Sequence, residues 1–145
     1  MVMSNPYVPT RLSTSKATEV LKESGITPTH QRIEIAALLL GQAQHCSAEQ
    51  LISLLDADGA SVSKATVYNT LKLFADANLV REVIVDPTRV FFDSNTVPHQ
   101  HLFNVDTGEL SDIAAAHLRV EGLPEPPPGT EIMDVEVIVR VRNRS

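Results

Sequence analysis

Apolar residues recur every three or four positions through the first half of the chain, a spacing that predicts amphipathic helices. The first predicted helix covers residues 16–24 and ends at Gly25, and a second opens at Pro28-Thr29. Ser47-Ala48-Glu49-Gln50 has the form of a capping box, with Ser at the N-cap and Gln three residues later. A third helix is therefore expected to start there and to end in a turn at 56–61.

A fourth helix and a change of period follow. Ser63 is a suitable N-cap for a helix over about residues 64–77, and Asn78 is expected to end it. Its core-facing positions, spaced i, i+4 and i+7, are Val67, Leu71 and Phe74. The period then shortens to two, which predicts strands at 79–85 and 90–93 joined by the turn Asp86-Pro87-Thr88-Arg89. Helices followed by a two-stranded hairpin are typical of a winged helix-turn-helix.

The second half of the chain is rich in short strands. They are predicted at 99–105, 109–113 and 135–141, and the prolines of 123–129 exclude helix and sheet from that segment. The fold class is therefore α+β, with a winged-helix domain over 1–92 and a small strand-rich α/β domain over 93–145. The second domain has too few residues to bury a core alone, so we expect a homodimer formed through its strands.

Charge refines this division. The chain of 145 residues has a formal net charge of -6, which by itself argues against a nucleic-acid partner. Residues 1–85 carry 7 basic and 8 acidic side chains, whereas residues 86–145 carry 5 and 10. The acidic excess therefore belongs to the second half. The winged-helix half is near neutral, and its basic side chains are the ones available to meet DNA.

Composition excludes several classes of protein. Hydrophobic residues make up 43% and charged residues 21%, values of a folded chain rather than a disordered one. The longest apolar run, 35–40, is far short of the roughly 20 residues of a membrane span. Residues 1–12 lack the apolar region of a signal peptide, so a cytoplasmic location is expected. One cysteine, Cys46, excludes an intrachain disulfide and an all-cysteine metal site.

The fourth helix carries the groups that DNA recognition requires. In a winged helix this helix enters the major groove, where Lys meets phosphate or guanine and Asn pairs with adenine. We expect the Tyr68 ring to press on a thymine methyl and its hydroxyl to reach a phosphate. The alternative is a solvated polar face on a core helix. The predicted DNA-binding residues are Arg32, Lys64, Thr66, Tyr68, Asn69, Thr70 and Lys72.

Histidines and carboxylates form a second candidate site. On a strand, His99 and His101 point to one face, where both imidazoles can bind one ion. The other candidate ligands are His45, Asp93 and Asp112. Three imidazoles and two carboxylates suit Fe²⁺, Mn²⁺ or Zn²⁺. The alternative is a surface His-X-His beside unrelated carboxylates.

The remaining histidines and the cysteine are less informative. His30 and His117 are interpreted as structural or exposed. Cys46 is expected to be a small buried residue, and its place beside His45 leaves a redox or haem-ligand role open. Because His and Asp clusters also hold catalytic metals, a small metal-dependent hydrolase is the rival from a different class.

Three segments resemble the ferric uptake regulator (Fur) family: Gly25 to Arg32, His45 to Leu51 and Ser63 to Leu71, of which Ala65-Thr66-Val67-Tyr68-Asn69-Thr70-Leu71 is the most specific. The resemblance covers roughly residues 15–142. It implies a homodimeric winged-helix transcription factor that binds operator DNA and is not an enzyme.

Further segments are similar to the iron response regulator (Irr) branch of that family, which senses haem: Arg81 to Asp86, Phe92 to Asn95, Leu123 to Pro127 and Val135 to Arg142. This similarity implies a regulator of iron and haem homeostasis. The two-Asp, three-His ligand set also resembles that of peroxide-sensing family members, in which bound Fe²⁺ leads to oxidation of a ligand histidine. Peroxide sensing is therefore the alternative within the family.

The resemblance assigns the regulatory metal to His45, Asp93, His99, His101 and Asp112, and candidate haem binding to His45, His99 and His101. This chain also departs from its relatives. Asn104 and Thr107 stand where many members have the first CxxC pair, so the structural zinc held by four cysteines is expected to be absent. Gln100 replaces the middle residue of the histidine triplet implicated in haem binding, and the N-terminal Cys-Pro motif of some Irr proteins is missing.

Overall fold

The computed structural model describes residues 10–145. The chain forms two compact units, divided between Thr96 and Val97. The sequence predicted a boundary between residues 92 and 93. Asp93 belongs to the first unit because it is paired with His45 in a sheet of that unit. Ser94 also belongs to it, because the Ser94 amide donates to the Gln44 carbonyl at 2.9 Å.

The first unit contains the four predicted helices. Each begins at a Ser or Thr N-cap whose hydroxyl accepts from a backbone amide three residues on. Ser47 and Gln50 form the full predicted capping box. Asn78, at φ 60°, follows the last helix, in line with its predicted role as a stop. The helices are α1 (Thr14–Glu23), α2 (His30–Leu39), α3 (Ala48–Ala57) and α4 (Lys64–Asp76).

A three-stranded sheet completes the first unit. Its strands are β1 (His45–Ser47), β2 (Arg81–Asp86) and β3 (Arg89–Asp93), in the order β1-β3-β2 with antiparallel pairing. The predicted hairpin is confirmed as β2 and β3. The sequence did not predict β1, because three residues are too short to show a period of two. This strand places His45 opposite Asp93.

The second unit contains a smaller sheet. Its strands are β4 (Gln100–Asn104), β5 (Leu110–Ile113) and β6 (Ile138–Val141), in the order β5-β4-β6. β5 is antiparallel to β4 and β6 is parallel to it. The strand predicted at 135–141 is shorter in the structure and begins at Ile138. Before it, the Gln100 side chain accepts from the Val137 amide at 2.6 Å and donates to the Val135 carbonyl at 3.2 Å, in place of strand hydrogen bonds.

Two loops of the second unit bear on the predictions. Residues 123–129 lie outside helices and strands, as their prolines required. Asn104, at a position where relatives were expected to carry cysteine, accepts from the amides of Asp106 and Thr107 at 2.9 and 3.1 Å. Its side chain therefore closes a turn. Among residues 10–145, no helix is both long and apolar enough to cross a bilayer.

Candidate metal centre and nucleic-acid interface

The outer face of α4 is polar and open to solvent. Lys64, Tyr68, Asn69 and Lys72 are exposed, and Thr66 is half-buried beside the Ser63 cap. Thr70 differs from the prediction, since it is only 4% exposed. It lies three residues after Val67 and therefore shares the core-facing side of the helix. The exposed face is thus narrower than the sequence suggested.

Tyr68 makes a contact that the sequence did not predict. Its hydroxyl donates to Glu49 Oε1 on α3, whereas we had expected it to reach a phosphate. This hydrogen bond lowers the pKa of Glu49 and raises the pKa of Tyr68. Lys64 Nζ lies 6.0 Å from the centroid of the Tyr68 ring. Glu49 and Lys64 therefore both lie beside the Tyr68 side chain.

Arg32 lies at the start of α2 and is half-buried. Its guanidinium donates to the Thr27 carbonyl at 2.9 Å, which holds the side chain near the Thr29 cap. The same region contains a pocket of about 260 Å³ between α2 and α4. The polar side chains that line it include Arg32, Thr66 and Asn69. Arg32 thus belongs to one surface with the start of α4.

His45 and Asp93 are neighbours in the first sheet. They are cross-strand partners in the β1–β3 ladder, and their ligand atoms lie within 4.8 Å of one another. The Asp93 side chain is 1% exposed and accepts from the Asn95 amide at 2.9 Å. A buried carboxylate requires hydrogen bonds or a cation to offset its desolvation. The pair is therefore a suitable half of a divalent-metal site.

A hydrogen-bonded clamp holds the backbone beside both residues. The Ser94 hydroxyl accepts from the Gln44 amide at 2.9 Å and donates to the Gln42 carbonyl at 2.8 Å. Gln44 Nε2 donates to the last carbonyls of α2, those of Leu38 and Leu39, at 2.9 and 3.0 Å. Because Gln44 precedes His45 and Ser94 follows Asp93, this clamp fixes the positions of the two candidate ligands.

The second unit brings its three predicted ligands together. Asp112 Oδ1 lies 3.3 Å from His99 Nε2 and 3.5 Å from His101 Nε2. The two imidazole rings are edge-on with centroids 4.5 Å apart. His99 Nδ1 lies 2.6 Å from the Val97 carbonyl, a contact that requires a proton on Nδ1, so Nε2 is the nitrogen left to bind a metal. This is the arrangement that metal-binding histidines adopt.

Cys46 points to the opposite face of β1 from His45. It pairs with Phe92 in the ladder and joins the apolar core, whereas its neighbours in β1 point to the other face of the sheet. Burial raises the pKa of its thiol to about 12. A protonated, buried thiol is unreactive, so the structure favours the expected structural role over a redox or haem-ligand role. His30 and His117 are exposed.

The sequence missed three residues that support these sites: Glu49, Gln44 and Ser94. Glu49 lies within the capping-box sequence Ser47 to Gln50, so its presence was explained by the start of a helix. Its contact with Tyr68 was therefore not predicted. Gln44 and Ser94 are separated by 50 residues along the chain. Only the unpredicted strand β1 brings them side by side, so no local pattern could have revealed them.

Comparison with known proteins agrees with this fold. The peroxide-responsive repressor PerR of Staphylococcus aureus is 33% identical over 92 residues, which are 63% of this chain and 62% of that protein. The chain therefore aligns with less than two thirds of the length of this curated relative.

Two solved structures are similar over most of the chain. The ferric uptake regulator of Pseudomonas aeruginosa with manganese has a TM-score of 0.67 and 28% identity, covering 89% of this chain and 98% of that one. The ferric uptake regulator of Vibrio cholerae has a TM-score of 0.68 and 25% identity, covering 87% and 98%. The model of the ferric uptake regulator family matches residues 23–136. The protein therefore belongs to the ferric uptake regulator family.

Proposed function

We propose that this protein is a sequence-specific DNA-binding transcription regulator whose DNA affinity is controlled by a divalent metal. The observation that carries the proposal is the exposed polar face of α4, set in a winged-helix unit of a ferric uptake regulator family member. The helix presents Lys64, Asn69 and Lys72 to solvent, which are side chains suited to phosphates and base edges. Family membership also favours a regulator over a metal-dependent hydrolase.

The candidate ligands suit a divalent metal. Asp93 is a buried carboxylate, and the Nδ1 proton of His99 directs its Nε2 lone pair toward the ligand position. The proposed metal ligands are His45, Asp93, His99, His101 and Asp112. Nitrogen and oxygen donors of this kind accept Fe²⁺, Mn²⁺ or Zn²⁺, where a divalent charge would offset the two carboxylates. The related Pseudomonas aeruginosa protein was solved with manganese.

The proposed regulatory effect requires that residues of both compact units hold the metal. His45 and Asp93 belong to the first unit, and the other three ligands belong to the second. Shared ligation would restrain the DNA-reading unit relative to the other, and two reading units must be correctly spaced to meet two half-sites. Metal binding and DNA binding would then be thermodynamically coupled.

A homodimer would supply the two reading units. Val139 lies in the edge strand β6 and is 37% exposed, and Met133, in the segment that leads to β6, is 90% exposed. A second copy of the chain packed on this edge would cover Val139 and extend a sheet too small to bury a core alone. Two copies would also double the few basic groups of the DNA surface.

The proposal is tested by selecting duplexes from a random library with the purified protein in Mn²⁺, in chelator and in haem. We expect enrichment of a two-fold-related sequence, with an affinity that differs at least about tenfold between Mn²⁺ and chelator. The haem arm tests the finer assignment to the Irr branch through His45, His99 and His101. Unchanged binding on addition of haem would contradict that assignment alone, whereas failure to enrich any sequence would contradict DNA-binding regulation.

Peroxide sensing is the second candidate, favoured by the similarity to a peroxide-responsive repressor. In this mechanism, the same ligands would hold Fe²⁺, which would activate hydrogen peroxide so that one peroxide oxygen is added to a ligand histidine and the other leaves as water. Peptide mass spectrometry of Fe²⁺-loaded protein after peroxide should then find this added mass on His45 or His99, and not in Mn²⁺-loaded protein. Unmodified histidines after peroxide would exclude this candidate.

A further inference from the structure

Tyr68 and Glu49 connect two helices at the proposed DNA surface. Tyr68 lies on the exposed face of α4 with 40% of its surface accessible, and Glu49 lies in the first turn of α3. The Tyr68 hydroxyl donates to Glu49 Oε1, and Lys64 Nζ lies 6.0 Å from the ring centroid. A carboxylate and a cation thus approach the same exposed ring from two helices.

This contact is stable against changes of pH near neutrality. The Tyr68 hydrogen bond is the main cause that lowers the pKa of Glu49, and Lys64 adds to it. The same hydrogen bond raises the pKa of Tyr68. The acceptor therefore stays ionised and the donor stays protonated at the pH values where DNA binds, which favours a strong, charge-assisted hydrogen bond.

The contact changes what Tyr68 can offer to DNA. A hydrogen bond at the far end of the side chain restricts both torsions that orient the ring. The hydroxyl is used within the protein, so the apolar part of the ring is the group left for contact with bases. Apolar contact with a thymine methyl carries sequence information, whereas a hydroxyl–phosphate contact carries none. The Glu49 charge also disfavours sequence-independent approach of phosphates.

We propose that Glu49 is a positioning residue for base recognition, which holds the Tyr68 hydroxyl so that the Tyr68 ring meets a thymine methyl and the hydroxyl does not meet a phosphate. This inference rests on the proposed DNA-binding function and deepens it by assigning selectivity to a contact between α3 and α4. Glu49 itself touches no base in this account.

The test compares four variants with the wild-type protein: Glu49→Ala, Glu49→Gln, Tyr68→Phe, and the double variant Glu49→Ala/Tyr68→Phe. Glu23→Gln, an equal change of charge at an exposed position of α1, is the matched control. Fluorescence anisotropy measures affinity for three duplexes: the one selected by the wild-type protein, a shuffled duplex, and the selected duplex with uracil in place of thymine. Thermal unfolding of each variant checks that the fold is retained.

We expect Glu49→Ala and Tyr68→Phe to lower the ratio of selected to shuffled affinity by about tenfold each, within the usual range for loss of one base contact. The double variant should resemble either single variant, because both remove the same hydrogen bond. Glu49→Gln retains an acceptor, so it should keep the ratio while raising both affinities about equally. Uracil should weaken wild-type binding and leave Glu49→Ala unaffected.

Other results would overturn the inference. If the hydroxyl reaches a phosphate instead, Tyr68→Phe weakens binding to all duplexes equally, and Glu49→Ala does not lower the ratio. Additive losses in the double variant would also contradict a shared role. A wild-type protein that selects no sequence would overturn the proposed function together with this inference, whereas a selective wild-type protein and an equally selective Glu49→Ala variant would overturn the inference alone.

Discussion

The two compact units differ in how much apolar surface they bury. In the first unit, α1 to α4 and the sheet enclose a continuous core, with Phe74 and Ile35 fully buried. In the second unit, residues 97–145, which the structure describes throughout, bury the apolar side chains of Phe103 and Leu110 alone. A unit with a large core can fold by itself, whereas one with a small core requires a partner or a bound ion.

The candidate ligands of the two units differ in how they are held and in how exposed they are. His45 and Asp93 are held by a strand ladder and by the Gln44–Ser94 clamp. In the second unit, His101 and Asp112 are also cross-strand partners, but the Asp112 side chain, on which the two imidazoles converge, is 46% exposed. We therefore expect the first unit to fold by itself and the second unit to depend on a second copy of the chain or on a bound ion. Four predictions test this difference.

The largest effect is expected from truncating the first core. Phe74→Ala should destabilise the first unit by about 3–5 kcal/mol, the usual cost of removing a buried aromatic ring. Phe103→Ala is the matched change in the second unit and should leave the unfolding of the first unit unchanged. Hydrogen exchange resolved by peptide measures the two units separately. Equal destabilisation of the first unit by both variants would contradict two independent cores.

Removal of one candidate ligand from either unit should weaken metal binding strongly. His45→Ala and His101→Ala are each expected to lower Mn²⁺ affinity by about 100-fold or more, since even supporting residues around metals contribute 10–100-fold. His30→Ala and His117→Ala, at exposed positions of the two units, are the controls. Titration against a fluorescent chelator gives the affinities. If only one of His45→Ala and His101→Ala loses Mn²⁺ affinity and the other binds as the wild-type protein does, the metal site lies within one unit.

The Gln44–Ser94 clamp should contribute less to Mn²⁺ affinity than a metal ligand does. Ser94→Ala removes the hydroxyl that links Gln42 and Gln44 and is expected to weaken Mn²⁺ binding by about 10- to 100-fold with His45 and Asp93 still present. Ser53→Ala, on the exposed side of α3, is the control. The same titration applies. Wild-type affinity in Ser94→Ala would show that the first half-site does not depend on this clamp.

The smallest effect is expected at the edge of the second sheet. Val139→Ser should raise the dissociation constant of the homodimer about tenfold, because the change removes apolar surface from both copies at once. Val120→Ser, exposed but outside the sheet, is the control. Sedimentation at a series of concentrations measures the constant. A dissociation constant unchanged by Val139→Ser would place the dimer contact elsewhere.

The helices and the hairpin were predictable from the sequence, because their signals are local. Ser47 and Gln50 form the predicted capping box, and Asn78 ends α4 as expected. The features that the sequence missed depend on contacts distant along the chain. Strand β1 exists because His45 to Ser47 pair with β3, and three residues show no period of their own.

In the candidate sites too, positions set by local sequence were predictable and contacts between distant segments were not. His99 and His101 both approach Asp112 as predicted, but β4 begins at Gln100, so His99 lies just outside the strand, and only His101 is paired with Asp112 in the β4–β5 register. Thr70 was misplaced because it has a polar side chain at a core-facing position, and residue type was given more weight than helical spacing. The Tyr68–Glu49 contact depends on the packing of α3 against α4, which no pattern in either helix encodes.

The central claim is that a metal held by residues of both units controls DNA binding. The most direct measurement is the affinity of wild-type protein and His101→Ala for the selected duplex, each with Mn²⁺ and with chelator. We predict that Mn²⁺ changes the wild-type affinity at least about tenfold and leaves His101→Ala at its chelator value. An equal response to Mn²⁺ in both proteins would contradict the claim.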